Sequence, residues 1–480
     1  MVVIEAAAGC GKTHEAVEAT VGFAGTIDPG REVLLLTHTN AARDVYADRL
    51  KASGARARMQ TLDSLACELV GRYVRHFKLP EPFRPGAVHA GHPSFPEVER
   101  RACELLRDAP AVAEGLAWRH PVIIVDEHQD SSVCQHEMVE RIGSAGAVRQ
   151  RYFGDGMQRI FEFAGSGDVW AQLVNDHAPV RLTHGHRWDE NPELRDWLAT
   201  ARAALQAGRP IPLAGRPPCI QVRRWKGQPP GPKQKGHCPE LLAQLHGARF
   251  VGRTAVLVRD SRHGYGLVEK LKGQLTLYEA ADSTSPTEWL EKALAMEGQP
   301  AKLSALLAEV LSSWGTGVPS SRVRELKAVC TPDNIELGKR ALIKPLAELC
   351  RPLYEDPTAA AWLRAFSRAV IERSALGWRI IRVYPAWLLA AVPAEAEDLL
   401  SALQATAEAR RQTVRRPPTA VMTVHRAKGS ECDTTALPYV CASSFGDDEE
   451  SARLLYVALT RARHRMHLFL SEDDPCPWFN

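Results

Sequence analysis

The sequence has no long apolar run, no closely paired cysteines and little net charge. Among its 480 residues there is no uncharged apolar stretch of about 18 residues, the length of a membrane-spanning helix, so we expect no membrane partner. The eleven cysteines include no Cys-x-x-Cys pair, which argues against cysteine-held zinc or iron–sulfur sites and predicts reduced thiols. The first residues lack the basic segment of a signal peptide, and a cytoplasmic location is expected.

A net charge of only +3 does not by itself indicate a nucleic-acid partner, which must be inferred from local clusters of Lys and Arg. The densest basic cluster with an aromatic residue is Arg223-Arg224-Trp225-Lys226, with Lys233 and Lys235 beyond a Gly-Pro turn. Such a cluster could hold duplex or single-stranded nucleic acid. A solvent-exposed hairpin is slightly favoured, because charge runs are usually solvated.

Short apolar runs alternate with helical patterns near both ends of the chain. The predicted strands are Val2–Glu5, Val33–Leu36, Val122–Val125, Tyr152–Phe153, Thr254–Val258, Ala420–Val424 and Met466–Leu470. Continuous apolar strands separated by helices indicate parallel sheets that are covered on both faces. Residues 285–410 are mostly helical in pattern. We therefore predict an α/β protein with two parallel-sheet cores, each interrupted by a mainly helical insertion.

A small-residue loop lies between the first predicted strand and the helix that follows it. Its residues are Ala6, Ala7, Ala8, Gly9, Cys10, Gly11, Lys12 and Thr13. Small residues let backbone N–H groups close around phosphate oxygens, and the helix N-terminus favours anions. We expect Lys12 to reach the β- and γ-phosphates of ATP and the Thr13 hydroxyl to hold Mg²⁺. A glycine-rich turn with a chance Lys-Thr pair is the alternative, and the strand–loop–helix context argues against it.

An acidic segment, Asp126-Glu127-His128-Gln129-Asp130, follows the predicted strand Val122–Val125. P-loop enzymes place the carboxylate partner of Mg²⁺ at the C-terminal edge of a parallel strand, which fits Asp126. Glu127 beside it can orient and deprotonate the attacking water. The alternative is an exposed acidic strand end that serves as a helix N-cap, and the phosphate loop upstream makes it the weaker interpretation.

These segments resemble the motifs of UvrD/Rep-type DNA helicases of superfamily 1. Asp-Glu-x-Gln-Asp after an apolar strand is the acidic motif of that family, and the other motifs follow in the family's order. They are Thr37–Ala42, Thr61–Ala66, Gly154–Phe163, His186-Arg187, Thr423–Cys432 and Leu455–Ala462. The resemblance implies two RecA-like P-loop cores that use ATP and Mg²⁺.

The resemblance also implies roles around the γ-phosphate. Arg187 and Arg461 would neutralise its developing charge from the second core once the cores close. Gln158 would sense the γ-phosphate and link it to the DNA site, and Glu431 would contact the ribose. For each arginine alone, a surface ion pair is the alternative. The predicted catalytic residues are Lys12, Asp126, Glu127, Gln158, Arg187 and Arg461.

The expected partner is single-stranded DNA or DNA with a single-stranded tail, bound by stacking and backbone contacts. Phe163 matches the family's base-stacking aromatic, and Phe161 precedes it at strand spacing, with a core position as an even alternative for Phe161. His38 replaces a family aromatic. The predicted DNA-contacting residues are His38, Thr61, Ser64, Phe161, Phe163 and His425.

The motif positions predict a division of the chain into six segments. A first RecA-like core (1–71 and 119–179) carries a small insertion (72–118), and a second core (180–284 and 413–480) carries a reduced helical insertion (285–412). The family's adenine-reading segment upstream of the phosphate loop has no counterpart, since Met1 is five residues before Ala6. We therefore expect a relaxed nucleotide preference.

Two functions from different classes fit these observations. The leading hypothesis is a DNA-dependent ATPase that translocates 3′ to 5′ on single-stranded DNA. The second is a DNA-sensing regulatory subunit that licenses a partner nuclease without processive unwinding. The short chain resembles the helicase subunit of Gabija-like anti-phage defence systems, which pairs with an ATPase–nuclease. A bare P-loop kinase or switch is disfavoured, because such proteins need only one core.

Overall fold

The computed structural model describes residues 1–51, 53–85, 92–161, 167–227, 238–248, 250–271, 275–278, 284–316, 344–374, 376–380, 382–411 and 418–480. In chain order the strands are β1 (Val2–Ala6), β2 (Val33–Thr37), β3 (Ala57–Thr61), β4 (Val122–Val125), β5 (Arg149–Gly154), β6 (Val180–Leu182), β7 (Ile220–Trp225), β8 (Thr254–Val258), β9 (Thr276–Leu277), β10 (Gly315–Thr316), β11 (Arg379–Ile380), β12 (Thr419–Thr423), β13 (Cys432–Val440) and β14 (Ala462–Ser471).

The helices in the first half of the chain are Lys12–Ala24, Asn40–Lys51, Leu62–Arg72, Phe95–Asp108, Pro110–Arg119, Val133–Ser144, Val169–Asp176, Pro192–Gln206 and Pro239–His246. Those in the second half are Ser261–Lys270, Thr284–Ala295, Pro300–Trp314, Lys344–Cys350, Pro352–Glu355, Ala359–Ile371, Val383–Ala390, Leu399–Arg411, Val424–Ala427 and Glu449–Leu459. Within the described residues, none of these helices has the length and apolar character needed to cross a membrane.

The chain forms two compact units. The first comprises residues 1–226 and 427–480, and the second comprises residues 227–426. The predicted six-segment division placed residues 180–226 with the second core. In the structure these residues belong to the same compact unit as the phosphate loop. The finer division into cores and insertions stays a prediction.

The first unit contains a six-stranded sheet with the order β3-β2-β4-β5-β1-β6. Its strands pair in parallel, for example β1 with both β5 and β6. Both faces are covered: Leu34 and Leu36 pack in one apolar cluster, while Val33 and Leu35 pack in another. Since side chains alternate across a strand, a fully apolar run such as β2 marks a strand buried on both faces, as predicted.

Three more strands of the first unit, β7, β14 and β13, pair in parallel in that order. In the second unit, β8, β12 and β9 also pair in parallel. The predicted α/β class with parallel sheets is therefore confirmed. The second unit also has a large apolar cluster built from helices between residues 284 and 411, with Trp314, Trp362 and Phe366 at its centre.

The basic cluster at residues 223–226 is not a solvent-exposed hairpin. Arg223, Arg224 and Trp225 belong to β7, which pairs in parallel with β14. Trp225 is fully buried and its indole N–H donates to the carbonyl oxygen of Phe469 (3.1 Å). The segment is therefore a sheet strand anchored by Trp225 and not a hairpin, although Arg224 and Lys226 in it are exposed. Lys233 and Lys235 lie outside the described residues.

Candidate active site

The phosphate loop connects β1 to the helix Lys12–Ala24, as the sequence predicts. Gly9 and Gly11 have φ angles of 74° and 80°, in the region that favours glycine. A Cβ atom on Gly9 would lie 2.8 Å from the Trp188 ring and 2.9 Å from the Cβ of Arg187, so a side chain does not fit there. The backbone N–H of Arg187 donates to the Gly9 carbonyl (3.3 Å), which fixes the loop to the segment that carries this arginine.

Lys12 begins the helix, and its side chain is nearly buried. Its Nζ donates to the carbonyl oxygen of Ala6 (3.2 Å) and lies 3.7 Å from Oε1 of Glu127. The ammonium group is thus held across the loop, next to the carboxylate predicted to activate water. This is the position from which a lysine can contact phosphate oxygens.

The two residues predicted to hold Mg²⁺ converge on one hydroxyl group. Oδ2 of the buried Asp126 accepts a hydrogen bond from the Tyr46 hydroxyl (2.6 Å), and the Thr13 side chain contacts the same hydroxyl. Burial, together with the neighbouring Glu127, raises the pKa of Asp126 to about 6. A cation beside Asp126 would favour its ionised form, and hydroxyl and carboxylate oxygens are the ligands that Mg²⁺ prefers, so these residues fit the ion.

Glu127 has a backbone conformation that residues other than glycine rarely adopt, with φ 55° and ψ 36°. Such conformations cluster at functional sites. Burial opposes its ionisation, but Lys12 and Lys428 outweigh this effect and lower the pKa of Glu127 to about 2. Glu127 is therefore a carboxylate at neutral pH, as a general base must be. Its side chain makes no capping hydrogen bond to the turn that follows, so the N-cap alternative is not what the structure shows.

A chain of hydrogen bonds runs from Glu127 to Arg461. The side-chain amide of Gln129 donates to Oε2 of Glu127 (2.6 Å) and accepts from the backbone N–H of Asp155 (3.1 Å). Gln158 donates to Oδ2 of Asp155 (2.6 Å) and accepts from Nη2 of Arg461 (3.4 Å). Gln158 therefore connects the acidic segment to one of the two arginines predicted to contact the γ-phosphate.

Both of these arginines lie in the same unit as the phosphate loop. Arg461 is buried, and burial together with the charge of Arg187 lowers its pKa to about 10, which leaves it protonated at neutral pH. Arg187 donates to Oε1 of Glu431 (2.9 Å) and to the carbonyl oxygen of Thr460 (2.7 Å). Neither arginine is part of an exposed surface ion pair, the alternative considered for each of them. Their approach on core closure and the ribose contact of Glu431 stay predictions, and in this structure Glu431 accepts a hydrogen bond from Arg187.

Lys428 is a site residue to which the sequence analysis gave no role. Its Nζ donates to Oδ2 of Asp130 and to the carbonyl oxygen of Gln158. The side chains of Lys428 and Asp130 are only 8% and 3% exposed. The same Nζ lies 5.4 Å from the centroid of the Phe161 ring. The buried Lys428 ammonium group thus contacts Asp130 of the acidic segment and Gln158, and lies near Phe161, a predicted DNA contact.

Tyr456 and Arg202 also support the phosphate loop, and the sequence analysis gave neither of them a role. The Tyr456 hydroxyl accepts a hydrogen bond from the backbone N–H of Ala8 (3.3 Å). Arg202 donates to both carboxylate oxygens of Asp155 (3.0 and 2.7 Å), and its guanidinium carbon lies 5.1 Å from the centroid of the Tyr456 ring. Tyr456 lies within a motif that the sequence analysis quoted, whereas Arg202 lies outside every motif and carried no signal.

Three predicted DNA contacts lie at the ends of β2 and β3. Thr61 is buried, and its Oγ1 caps the helix Leu62–Arg72 by accepting from the N–H of Ser64 (3.0 Å), which is a structural role. Ser64 is exposed. His38 lies 3.1 Å from Oγ of Ser131, and burial lowers the pKa of His38 to about 4. A DNA contact by His38 would therefore use a neutral imidazole.

The remaining predicted DNA contacts are Phe161, Phe163 and His425. Phe161 is 37% exposed, which argues against the core position considered for it. Phe163 lies outside the described residues. His425 lies in the short helix Val424–Ala427 and belongs to the second unit. The DNA-contacting set as a whole stays a prediction.

Comparison with known proteins finds one family at two places in the chain. Residues 89–169, which contain the acidic segment and Gln158, match the UvrD/REP helicase N-terminal domain. Residues 418–469, which contain Lys428, Glu431 and Arg461, match the UvrD-like helicase C-terminal domain. The chain resembles UvrD-type helicases. The two matches supply complementary parts of the site just described.

Full-length relatives agree with these UvrD-type matches. The chain is 26% identical over 401 residues to proteins named ATP-dependent DNA helicase UvrD2 from Mycobacterium tuberculosis and Mycobacterium bovis. The alignment covers 78% of this chain and 51% of each relative. The chain therefore spans about half the length of the curated relatives it matches.

Tyr46 provides a test of the Mg²⁺ ligands predicted for this site. Tyr46→Phe removes the hydroxyl that Asp126 and Thr13 share and keeps the ring, so the fold should persist. Loss of a group that orients metal ligands commonly costs about 10–100-fold in metal affinity. We expect the Mg²⁺ concentration at half-maximal ATPase activity to rise at least about tenfold. Tyr73→Phe, on a partly exposed tyrosine of the same unit, is the control. An unchanged Mg²⁺ dependence in Tyr46→Phe would remove Tyr46 from the metal site.

Proposed function

We propose that the chain is an ATP-dependent DNA helicase that couples Mg²⁺-dependent ATP hydrolysis to movement on single-stranded DNA. The observation that carries the proposal is the hydrogen-bond chain from Glu127 through Gln129, Asp155 and Gln158 to Arg461. It links the predicted water-activating carboxylate to a predicted phosphate-contacting arginine. The UvrD-like matches at residues 89–169 and 418–469 support the same activity.

The site residues divide the work of hydrolysis. Mg²⁺, held by Thr13 and Asp126, would neutralise charge on the β- and γ-phosphates. Glu127 would accept the proton of the attacking water, since it is ionised at neutral pH. Lys12 and Arg461 would offset charge that develops on the phosphate oxygens.

When Arg461 loses its contact with the γ-phosphate, we expect Gln158 to respond first. The side-chain oxygen of Gln158 accepts from Arg461, and its backbone carbonyl oxygen accepts from Lys428. Lys428 in turn lies near the Phe161 ring. This route supports a coupling between nucleotide state and DNA contact. The proposed substrate is single-stranded DNA or DNA with a single-stranded tail, and the proposed direction is 3′ to 5′.

A DNA-sensing regulatory subunit, such as one in a Gabija-like defence complex with a nuclease, is the second candidate. It is favoured by two apolar side chains in the mainly helical region, Ile371 and Trp387, which are 72% and 39% exposed. Exposed apolar groups can mark a partner surface. This candidate shares the ATP site and differs in having little processive unwinding.

Unwinding assays separate these functions. We expect ATP-dependent strand separation of a duplex with a 3′ single-stranded tail and little with a 5′ tail. The measurement is made on the chain alone and on material co-purified with its native partners. Unwinding of 5′-tailed substrate would contradict the direction. No unwinding by the chain alone, together with DNA-dependent nuclease activity in a complex, would favour the regulatory subunit.

The aromatic candidate Phe163 gives a more local test of DNA coupling. We expect Phe163→Ala to reduce DNA stimulation of the ATPase more than the basal rate, because stacking is worth about 1–3 kcal/mol per base. A tenfold or larger rise in the DNA concentration for half-maximal stimulation corresponds to about 1.4 kcal/mol. Phe95→Ala, on an exposed phenylalanine of the first unit, is the matched control. Equal loss of basal and stimulated rates would mean that Phe163 is structural.

A further inference from the structure

The turn between β6 and the helix Pro192–Gln206 carries three exposed side chains with metal-binding atoms. His184, His186 and Asp189 offer ligand atoms that all lie within 4.8 Å of one another. Nε2 of His184 lies 3.0 Å from Oδ1 of Asp189, and Nδ1 of His186 lies 3.6 Å from Oδ2 of Asp189. Over the part of the chain that the structure describes, this is the one group of three such ligands at this spacing.

These separations suit a tetrahedral transition-metal site. Bonds of about 2.0–2.1 Å from Zn²⁺ to imidazole nitrogen and carboxylate oxygen place neighbouring ligand atoms roughly 3.4 Å apart. The two nitrogen–oxygen distances, which end on different oxygens of the Asp189 carboxylate, lie on either side of that value. Two imidazoles and one carboxylate favour borderline ions such as Zn²⁺, whereas Mg²⁺ prefers an oxygen shell. The exposure of the three side chains leaves a fourth position for water.

The backbone that presents these ligands is fixed at several points. The Trp188 indole donates to the carbonyl oxygen of Ala462 (2.8 Å), and the Asn191 side-chain amide donates to the carbonyl oxygen of His464 (3.2 Å). Asn191 also caps the following helix by accepting from the N–H of Leu194. A supported backbone limits the ordering that ligand side chains must undergo when they bind an ion.

We propose that His184, His186 and Asp189 form a binding site for a divalent transition-metal ion, best suited to Zn²⁺, that is separate from the Mg²⁺–ATP ligands Thr13 and Asp126. The site uses none of the residues assigned to hydrolysis. It follows from the His-x-His-x-x-Asp spacing on a tight turn together with the measured distances between ligand atoms.

The proposed metal site adjoins the phosphate loop. A Cβ atom on Gly11 would lie 3.2 Å from Cδ2 of His186, so this ring sits directly against the loop. An ion bound to His186 would hold the ring there. We therefore expect Zn²⁺ to slow ATP hydrolysis. This consequence rests on the proposed function, whereas the binding of Zn²⁺ is independent of it.

Calorimetric titration of Zn²⁺ alone into tag-free protein, without nucleotide, tests the site. The wild type is expected to show one saturable site per chain, and Zn²⁺ should bind much more tightly than Mg²⁺. His184→Ala removes one ligand and should weaken Zn²⁺ binding at least about tenfold, as should Asp189→Asn. The control is His14→Ala, because His14 is an exposed histidine that pairs with a single carboxylate, that of Glu18 (3.3 Å).

Each outcome bears on the proposal. A wild type without a saturable site overturns it, as does a site that His184→Ala and Asp189→Asn both leave unchanged or that His14→Ala abolishes. Circular dichroism confirms that each variant is folded. Zn²⁺ binding that depends on His184, in a protein without ATPase activity, would sustain the metal site and contradict the proposed function. ATPase activity in a protein that does not bind Zn²⁺ would support the proposed function and contradict the metal site.

Discussion

Replacing Lys12 with Ala is expected to abolish ATP hydrolysis while leaving binding of single-stranded DNA largely intact. Lys12 is held in the phosphate loop by the Ala6 carbonyl and lies beside Glu127. Removing one preorganised group that stabilises transition-state charge commonly lowers rates about 10²–10³-fold. The loss should be at least this large, because Lys12 also sets the pKa of Glu127 low. Without Lys12 that carboxylate loses the strongest of the three cations that favour its ionised form, the others being Lys428 and Arg461.

The Lys12→Ala measurement compares steady-state phosphate release with DNA binding by fluorescence anisotropy. Lys51→Ala, on an exposed lysine at the end of the helix Asn40–Lys51, is the matched control and should retain both activities. Since the predicted DNA contacts do not include Lys12, its loss should change DNA affinity little. Hydrolysis retained in Lys12→Ala would contradict the ATP site, and a parallel loss of DNA binding would indicate misfolding.

Replacing Lys428 with Met is expected to lower the free energy of unfolding of the first unit by about 3–5 kcal/mol, since it leaves the Asp130 carboxylate buried without its cation. The double variant Lys428→Met with Asp130→Asn removes both charges and should recover at least half of that loss. Arg181→Met breaks the more exposed pair between Arg181 and Glu5 (2.9 Å), which should cost at most about 1 kcal/mol.

The pH dependence of the Lys428→Met defect identifies its cause. Burial raises the pKa of Asp130 to about 6 even though Lys428 opposes the shift, and removing that cation raises the pKa further. A carboxyl group with a raised pKa in the folded state destabilises it when ionised, so the penalty is full at high pH and disappears as the pH falls through this pKa. Urea unfolding at pH 8 and pH 5 should therefore show the larger defect at pH 8. A defect that is the same at both pH values, or that Asp130→Asn worsens, would contradict the buried ion pair.

The parts of the fold that could be predicted from sequence are those with a strong local pattern. β4 and β8 were predicted to the residue, because each is a short, continuous apolar run. β13 was missed, although it is almost entirely buried, because Asp433, two threonines and Pro438 interrupt its apolar pattern. The proline lies where the register between β13 and β14 shifts, which is where a strand can accommodate it.

In the candidate site, too, the residues encoded by a local pattern were predicted and those that act through distant contacts were not. The loop residues and acidic segment were predicted because strand, loop and helix are contiguous in sequence. Tyr46, Arg202 and Lys428 act through contacts with residues 80, 47 and 298 positions away, and no spacing rule indicates such pairs. The prediction of a DNA contact for Thr61 did not consider helix capping. A threonine directly before a helix often caps it, as Thr61 does here.

The most direct test of the account is the ATPase rate of the wild-type chain, measured with saturating single-stranded DNA, with blunt duplex DNA and without DNA. We expect Mg²⁺-dependent hydrolysis that single-stranded DNA stimulates several-fold more than blunt duplex does. Hydrolysis at the same rate under all three conditions would contradict the coupling between the nucleotide site and DNA. No hydrolysis under any of them, in a folded protein with Mg²⁺, would contradict the ATPase itself.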